Sequence, residues 1–316
     1  MIPFDDALSI CHFNDDELIA YLEEIGDEEA ARALTMSGAR GQGFARMRGA
    51  AYACAAHVYG FIEAGDSPSE RLKIVPASSV TADQNLLGHP IKVTLDAFRV
   101  QEYPGTGLHT VLFDFQGRNQ AGSEEQDLQF ASVLQVHDHD NAAVSGVPIF
   151  TGLTVPRDGL SFKARTISIR SSGDETILRV LQSSLFKDGL RLLGQVQPAL
   201  PQLVGLAGGI TENLLKRRWN KQVQLFDLGL DFGMSRTSSR LRLGSYVAVQ
   251  VPDPNLWNWD NWFYDPNSMN IVNSDGHIAP NNTVVFAISE SGSTMPRSAM
   301  REEGRNAAAV SGKNTA

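Results

Sequence analysis

One feature of the sequence constrains the fold more than any other: the spacing of apolar residues changes near position 90. Before it they recur every three or four residues, as on one face of a helix; from Ile91 they recur every second residue, as on a half-buried strand. The strand-period segments are 91–100, 108–116, 127–137, 147–155, 160–170, 222–232, 241–251 and 283–289. Turn chemistry separates several of them, in Tyr103-Pro104-Gly105-Thr106-Gly107, Gln116-Gly117-Arg118-Asn119 and Pro156-Arg157-Asp158-Gly159. A slip of phase at Ala97-Phe98 predicts a bulge.

About eight short strands that do not alternate with helices favour an antiparallel arrangement over a parallel α/β sheet. The expected fold is α+β: a small N-terminal helical region followed by an antiparallel β-sandwich, C2-like or jelly-roll-like, with a helical insertion at 175–218. The expected organisation is an acidic helical head over 1–75, a linker over 76–90, a sandwich over 91–290 and a tail over 291–316 too poor in large apolar residues to order itself.

Within the head, Asn14 and Glu17 form a capping-box signature that predicts a helix over 15–25, and a second follows over 27–36. Phe44, Met47, Ala51, Cys54, Val58 and Phe61 are spaced like the seam of a third helix over 44–64. Ser67-Pro68-Ser69-Glu70 predicts a short fourth. Within the insertion, Ser172 and Glu175 open a helix carrying Ile177, Leu178, Leu181, Leu185 and Phe186, and another is expected over 201–218.

Charge is segregated. Residues 1–37 hold ten acids against Arg32 alone, a net of −9, and the remaining 26 acids and 26 bases cancel. Such a head repels nucleic-acid phosphates and offers a docking face for a basic partner, although a charge run also serves simply as a solvated surface. No signal-peptide pattern follows Met1, and Cys11 and Cys54 form no CxxC, so a reducing cytoplasm is the expected compartment and no disulfide framework is expected.

Several stretches could carry chemistry. On a strand, His137 and His139 of His137-Asp138-His139-Asp140 would project to one side and could share a metal ion with Asp138, Asp140 or a distant carboxylate; a polar hairpin end is the plainer alternative. Cys54 on an apolar seam reads as inert packing with a raised thiol pKa. The Gly38–Gly43 run resembles a phosphate loop poorly, since Arg46 stands where a third glycine belongs. Trp257, Trp259, Trp262 and Tyr264 cluster in one long connection, where such rings either plug the end of a sandwich or anchor a protein partner. Residues 192–211 carry no formal charge and end in Lys216-Arg217-Arg218-Trp219-Asn220-Lys221, a border of the kind seen at membrane faces, but Pro198, Pro201 and four glycines suit a packed hairpin.

With acids, bases and nucleophiles unclustered, the expected function is a non-enzymatic interaction or effector protein, such as an accessory component of a bacterial stress or defence system. Its expected partner is another protein, met through the head or the aromatic loop, and no cofactor is expected. The rivals are a membrane-active protein using 192–218 and a metal-dependent hydrolase centred on His137–Asp140.

Overall fold

The computed structural model describes residues 8–38, 50–65, 71–121, 124–170, 180–181, 190–192, 200–233 and 238–291. Among them the chain is α+β, built on a β-sandwich of antiparallel and mixed sheets. In chain order the strands are β1 Ala56–Glu63, β2 Leu72–Lys73, β3 Val75–Pro76, β4 Pro90–Val100, β5 Leu108–Ala121, β6 Glu124–His137, β7 Asp140–Asn141 and β8 Val147–Thr154. They continue with β9 Leu160–Ile169, β10 Leu190–Arg191, β11 Lys221–Asp231, β12 Ser239–Arg240, β13 Gly244–Val251, β14 Phe263–Asp265, β15 Asn270–Val272 and β16 Thr283–Glu290.

One sheet runs β10-β8-β4-β16-β13-β1-β3, with β7 attached to β4, and the facing sheet runs β12-β11-β9-β5-β6. Alternation sends one set of side chains from each sheet into a shared core, where Phe98 meets Phe113 at 6.4 Å, Phe115 meets Phe286 at 5.8 Å and Phe162 meets Phe286 at 6.2 Å between ring centres. The register of β4 against β16 passes from Ala97↔Val285 to Leu95↔Phe286, so a bulge falls at Asp96, one residue before the predicted slip.

Both outer faces are also covered. Val247, Val249, Ile62 and Val285 of the larger sheet lie under Trp259 and a small sheet of β15, β14 and β2. Leu112, Ala131, Ile167 and Ile169 of the five-stranded sheet lie under a helix, α3, spanning Leu200–Leu215, through its Ala207, Ile210 and Leu214. This helix matches the one expected over 201–218.

In the head, α1 spans Asp15–Glu24 with both halves of the Asn14/Glu17 capping box formed, and α2 spans Glu28–Gly38. The third head helix is corrected over its second half. Residues 51–53 make one 3-10 turn, and Ala56–Glu63 is strand β1, paired with the whole of β13. His57, Tyr59 and Phe61 face the core while Val58, Gly60 and Ile62 face Trp259 and its neighbours. β-Branched and aromatic residues with both faces buried satisfy helical spacing by coincidence and strand packing in fact. The remainder of that helix, the short helix near Ser67, most of the one expected from Ser172, the glycine run after Gly38 and the tail beyond Ser291 lie outside the described residues.

Residues 76–90 run along the body: Ala77 N donates to Tyr59 O, Asp83 N to Leu241 O and Gly88 N to Val155 O.

Candidate functional site

The His-Asp stretch is built differently from its expectation. β6 ends at His137, and His139 turns back with φ +64°, so the two imidazoles do not share one strand face. His139 Nδ1 lies 2.9 Å from Gln101 Nε2, and Asp140 Oδ1 accepts from Asn141 N at 2.8 Å. Asp138 turns inward, where Oδ1 accepts from Tyr103 N and from His109 Nε2, each at 2.9 Å. His109 is fully buried, and its Nδ1 sits 2.6 Å from an Arg170 terminal nitrogen, which fixes both ring nitrogens: Arg170 donates, so Nδ1 is the acceptor and Nε2 carries the proton. The same guanidinium donates to Pro104 O.

Gly105 is held at φ +90°, and a Cβ there would stand 2.4 Å from the Arg170 nitrogen, so the loop can lie on the arginine only as glycine. Gly105 N in turn donates to Asp27 Oδ2 at 2.8 Å, which joins the head to this chain of groups. Glu102 accepts from Ala51 N at 3.2 Å, and burial, with Asp138 and Asp27 nearby, raises its carboxyl above the ordinary range. Among the described residues, no three His, Cys, Asp or Glu side chains come together as a metal ligand set. His109, Arg170 and Glu102 were not legible beforehand. The register of β5 on β6, with Leu108 opposite His137, brings His109 to Asp138, and that of β5 on β9, with Thr110 opposite Ile169, brings Arg170 to His109.

A second polar group fills one end of the core. Tyr103 Oη meets Thr166 Oγ1 at 2.6 Å and accepts from Gln224 Nε2 at 2.8 Å, while Asn282 Nδ2 donates to Gln250 Oε1 at 2.9 Å. His57 lies in the same core, its ring 5.2 Å from that of Phe226. Burial pushes its imidazole from 6.5 down to about 4, and a hydrogen bond with Gln224 works the other way. The unfolded chain therefore takes up a proton near pH 6.5 that the folded chain refuses until about pH 4. The resulting stability, about 3 kcal/mol, is present above pH 6.5 and lost as pH falls towards 4. Urea unfolding at pH 7 and pH 4 is expected to show this loss in the native protein and to show it smaller by that amount in His57→Leu; an unchanged pH dependence in the variant would refute it. Cys54 is buried, and burial raises its thiol to about 11, as the apolar setting predicts.

The aromatic connection packs its rings on one another. Trp257 and Trp262 stack at 5.1 Å with 10° between their planes, and Trp259 meets Trp257 edge-on at 5.4 Å. Trp259 is buried on Gly60, where a Cβ would come within 2.7 Å of the indole. Trp257, Trp262 and Tyr264 remain half-buried, and the adjacent Leu256 is 81% exposed. Asx turns brace the backbone: Asp253 Oδ1 accepts from Asn255 N, Asn258 Oδ1 from Asp260 N and Asp265 Oδ1 from Asn267 N, at 2.9–3.0 Å. The four residues thus divide their roles, with Trp259 as packing and the others at the surface.

The uncharged segment and its basic border are only partly described. α3 lies on the five-stranded sheet, and among the described residues no helix is long and apolar enough to cross a membrane. No protein-family model, curated protein or solved structure matches this chain.

Proposed function

We propose that this chain is a non-enzymatic interaction or effector protein that docks a partner protein on its aromatic loop and its acidic head. The preorganised loop carries this reading: stacked Trp257 and Trp262, half-buried, beside a Leu256 held 81% exposed by a braced turn. Rigid stacked rings lose little conformational freedom on binding, and tryptophan and tyrosine are among the residue types that dominate interface energy, with Leu256 as exposed apolar area beside them. The head contributes charge. Asp16, Glu23 and Glu29 are exposed and have no ion-pair partner among the described residues, so the complementary surface is basic.

A photo-crosslinking side chain introduced at Leu256, and separately at Glu29, is expected to trap the same partner in the producing cells. In protein crosslinked from position 29, Leu256→Asp should lower the yield about tenfold with the melting temperature unchanged. An absence of adducts from folded protein at both positions, or a yield insensitive to Leu256→Asp, would sink the proposal.

A further inference from the structure

The acidic head and the basic border of the uncharged segment, far apart in sequence, meet in the fold. Glu24 forms an ion pair with Arg218. Tyr21 Oη donates to Trp219 O at 3.1 Å, and Lys221 Nζ stands 5.3 Å from the centre of the Phe13 ring and 5.7 Å from that of Tyr21. One step on, Gln222 Nε2 donates to Ser9 Oγ, and Ser9 bridges Gln222 along the backbone. Helix α1 and the turn before it therefore grip the chain immediately after α3.

The element so gripped is unusual for an outer layer. α3 presents Leu206 to solvent at 42% exposure, and Trp219 beyond its end is 43% exposed. Lys216, Arg217 and Arg218 lie between them on the surface. The floor beneath α3 is only partly apolar. Asp114, Arg165 and Gln129 are buried on that same sheet face, and the α3 backbone comes so close that a Cβ at Gly208 would stand 2.9 Å from Gln129 Oε1. Charged groups regain hydration when uncovered, so lifting α3 costs less here than it would over a wholly apolar face.

We infer that α3 with its border 216–221 is a releasable element that docks on an anionic lipid surface, and that the acidic head restrains it. A helix of 16 residues that is mostly apolar and small apart from Gln202, Thr211, Glu212 and Asn213, and is followed by Lys216 (paired with Glu212), Arg217, Arg218 and Trp219, suits the interfacial plane rather than a span. The Glu24 carboxylate occupies Arg218 as a lipid phosphate would. This inference concerns a lipid partner and stands or falls apart from the protein partner of the aromatic loop.

Binding to sedimenting vesicles of 70:30 phosphatidylcholine and phosphatidylglycerol tests it. Tyr21→Phe with Glu24→Lys is expected to raise the bound fraction about tenfold over the native protein, at about 1 kcal/mol for each basic residue made available, with no rise on pure phosphatidylcholine. Glu29→Lys makes the same change of charge away from the grip and should leave binding unchanged. Leu206→Asp, at a position already exposed, should abolish the rise. The inference is overturned if the double variant, melting cooperatively, binds no better than the native protein, if Glu29→Lys raises binding equally, or if the rise survives Leu206→Asp. Should the double variant not melt cooperatively, Glu24→Gln alone, at a surface pair, is expected to give a rise of about threefold, and no rise there also overturns it.

Discussion

Replacing Arg165 by methionine is expected to destabilise the fold by about 3–5 kcal/mol. Arg165 Nε lies 2.8 Å from Asp114 Oδ2, Gln129 Nε2 lies 2.9 Å from Asp114 Oδ1, and all three side chains are almost wholly removed from water. Burial already holds the Asp114 carboxyl above its ordinary range, with Arg165 pulling the other way. Without the arginine the carboxylate is left buried and unbalanced, and protonation becomes its cheapest remedy. A folded-state pKa above the unfolded one gives stability that is present at low pH and lost as pH rises, so the variant should suffer less at pH 5 than at pH 7. Adding Asp114→Asn should restore much of the loss, because removing both charges leaves none uncompensated. Urea unfolding of the three proteins decides the matter, and a loss below about 1 kcal/mol for Arg165→Met, or no recovery in the double variant, would show that the pair is not isolated from solvent as described.

Trp259→Ala is expected to cost about 3–5 kcal/mol through the cavity it leaves. The indole closes the outer face of the larger sheet over Ile62, Ile74, Val247 and Val249, seated on Gly60, where any side chain would collide with it and with Ile74. Trp257→Ala and Trp262→Ala remove rings that pack on the same cluster but stay partly exposed, and each should cost clearly less than Trp259→Ala. The contrast separates packing from display within one loop. Equal losses at all three positions, measured by denaturant unfolding, would mean that the loop is uniformly structural and would weaken its candidacy as an interface.

Sequence reading located the eight longest strands apart from β1 because each is long enough for its period to show, as in 160–170 for Leu160–Ile169 and 222–232 for Lys221–Asp231. Two- and three-residue strands such as β2, β10 and β12 have no period to detect. β1 escapes the period rule because Phe61 packs into the core and Val58 against the opposite cluster, so burial no longer alternates with exposure. The glycine at position 60, poor inside a helix, was the available hint. In the sites, the tryptophans were visible as composition, but which one is buried depends on Gly60, 199 residues away from Trp259. The Asp138–His109–Arg170 chain depends on strand register, which no local pattern encodes.

The two large sheets have four borders, and three of them are the two-residue strands β3, β10 and β12. A strand that short offers too few free amides and carbonyls to template another chain. The fourth border is β6, 14 residues long, and among the described residues no strand pairs with its far side. Among the described residues β6 is therefore the longest rim open to a foreign strand or to a second copy of the chain. Near its start Asp127 is paired with Arg118 at 3.1 Å, and α3 covers one face of the strand at Ala131 and Val133. With Leu128, Phe130 and Leu134 in the core and Ala131 and Val133 under α3, the rim that is open to backbone pairing has its apolar side chains already covered, which discourages self-assembly.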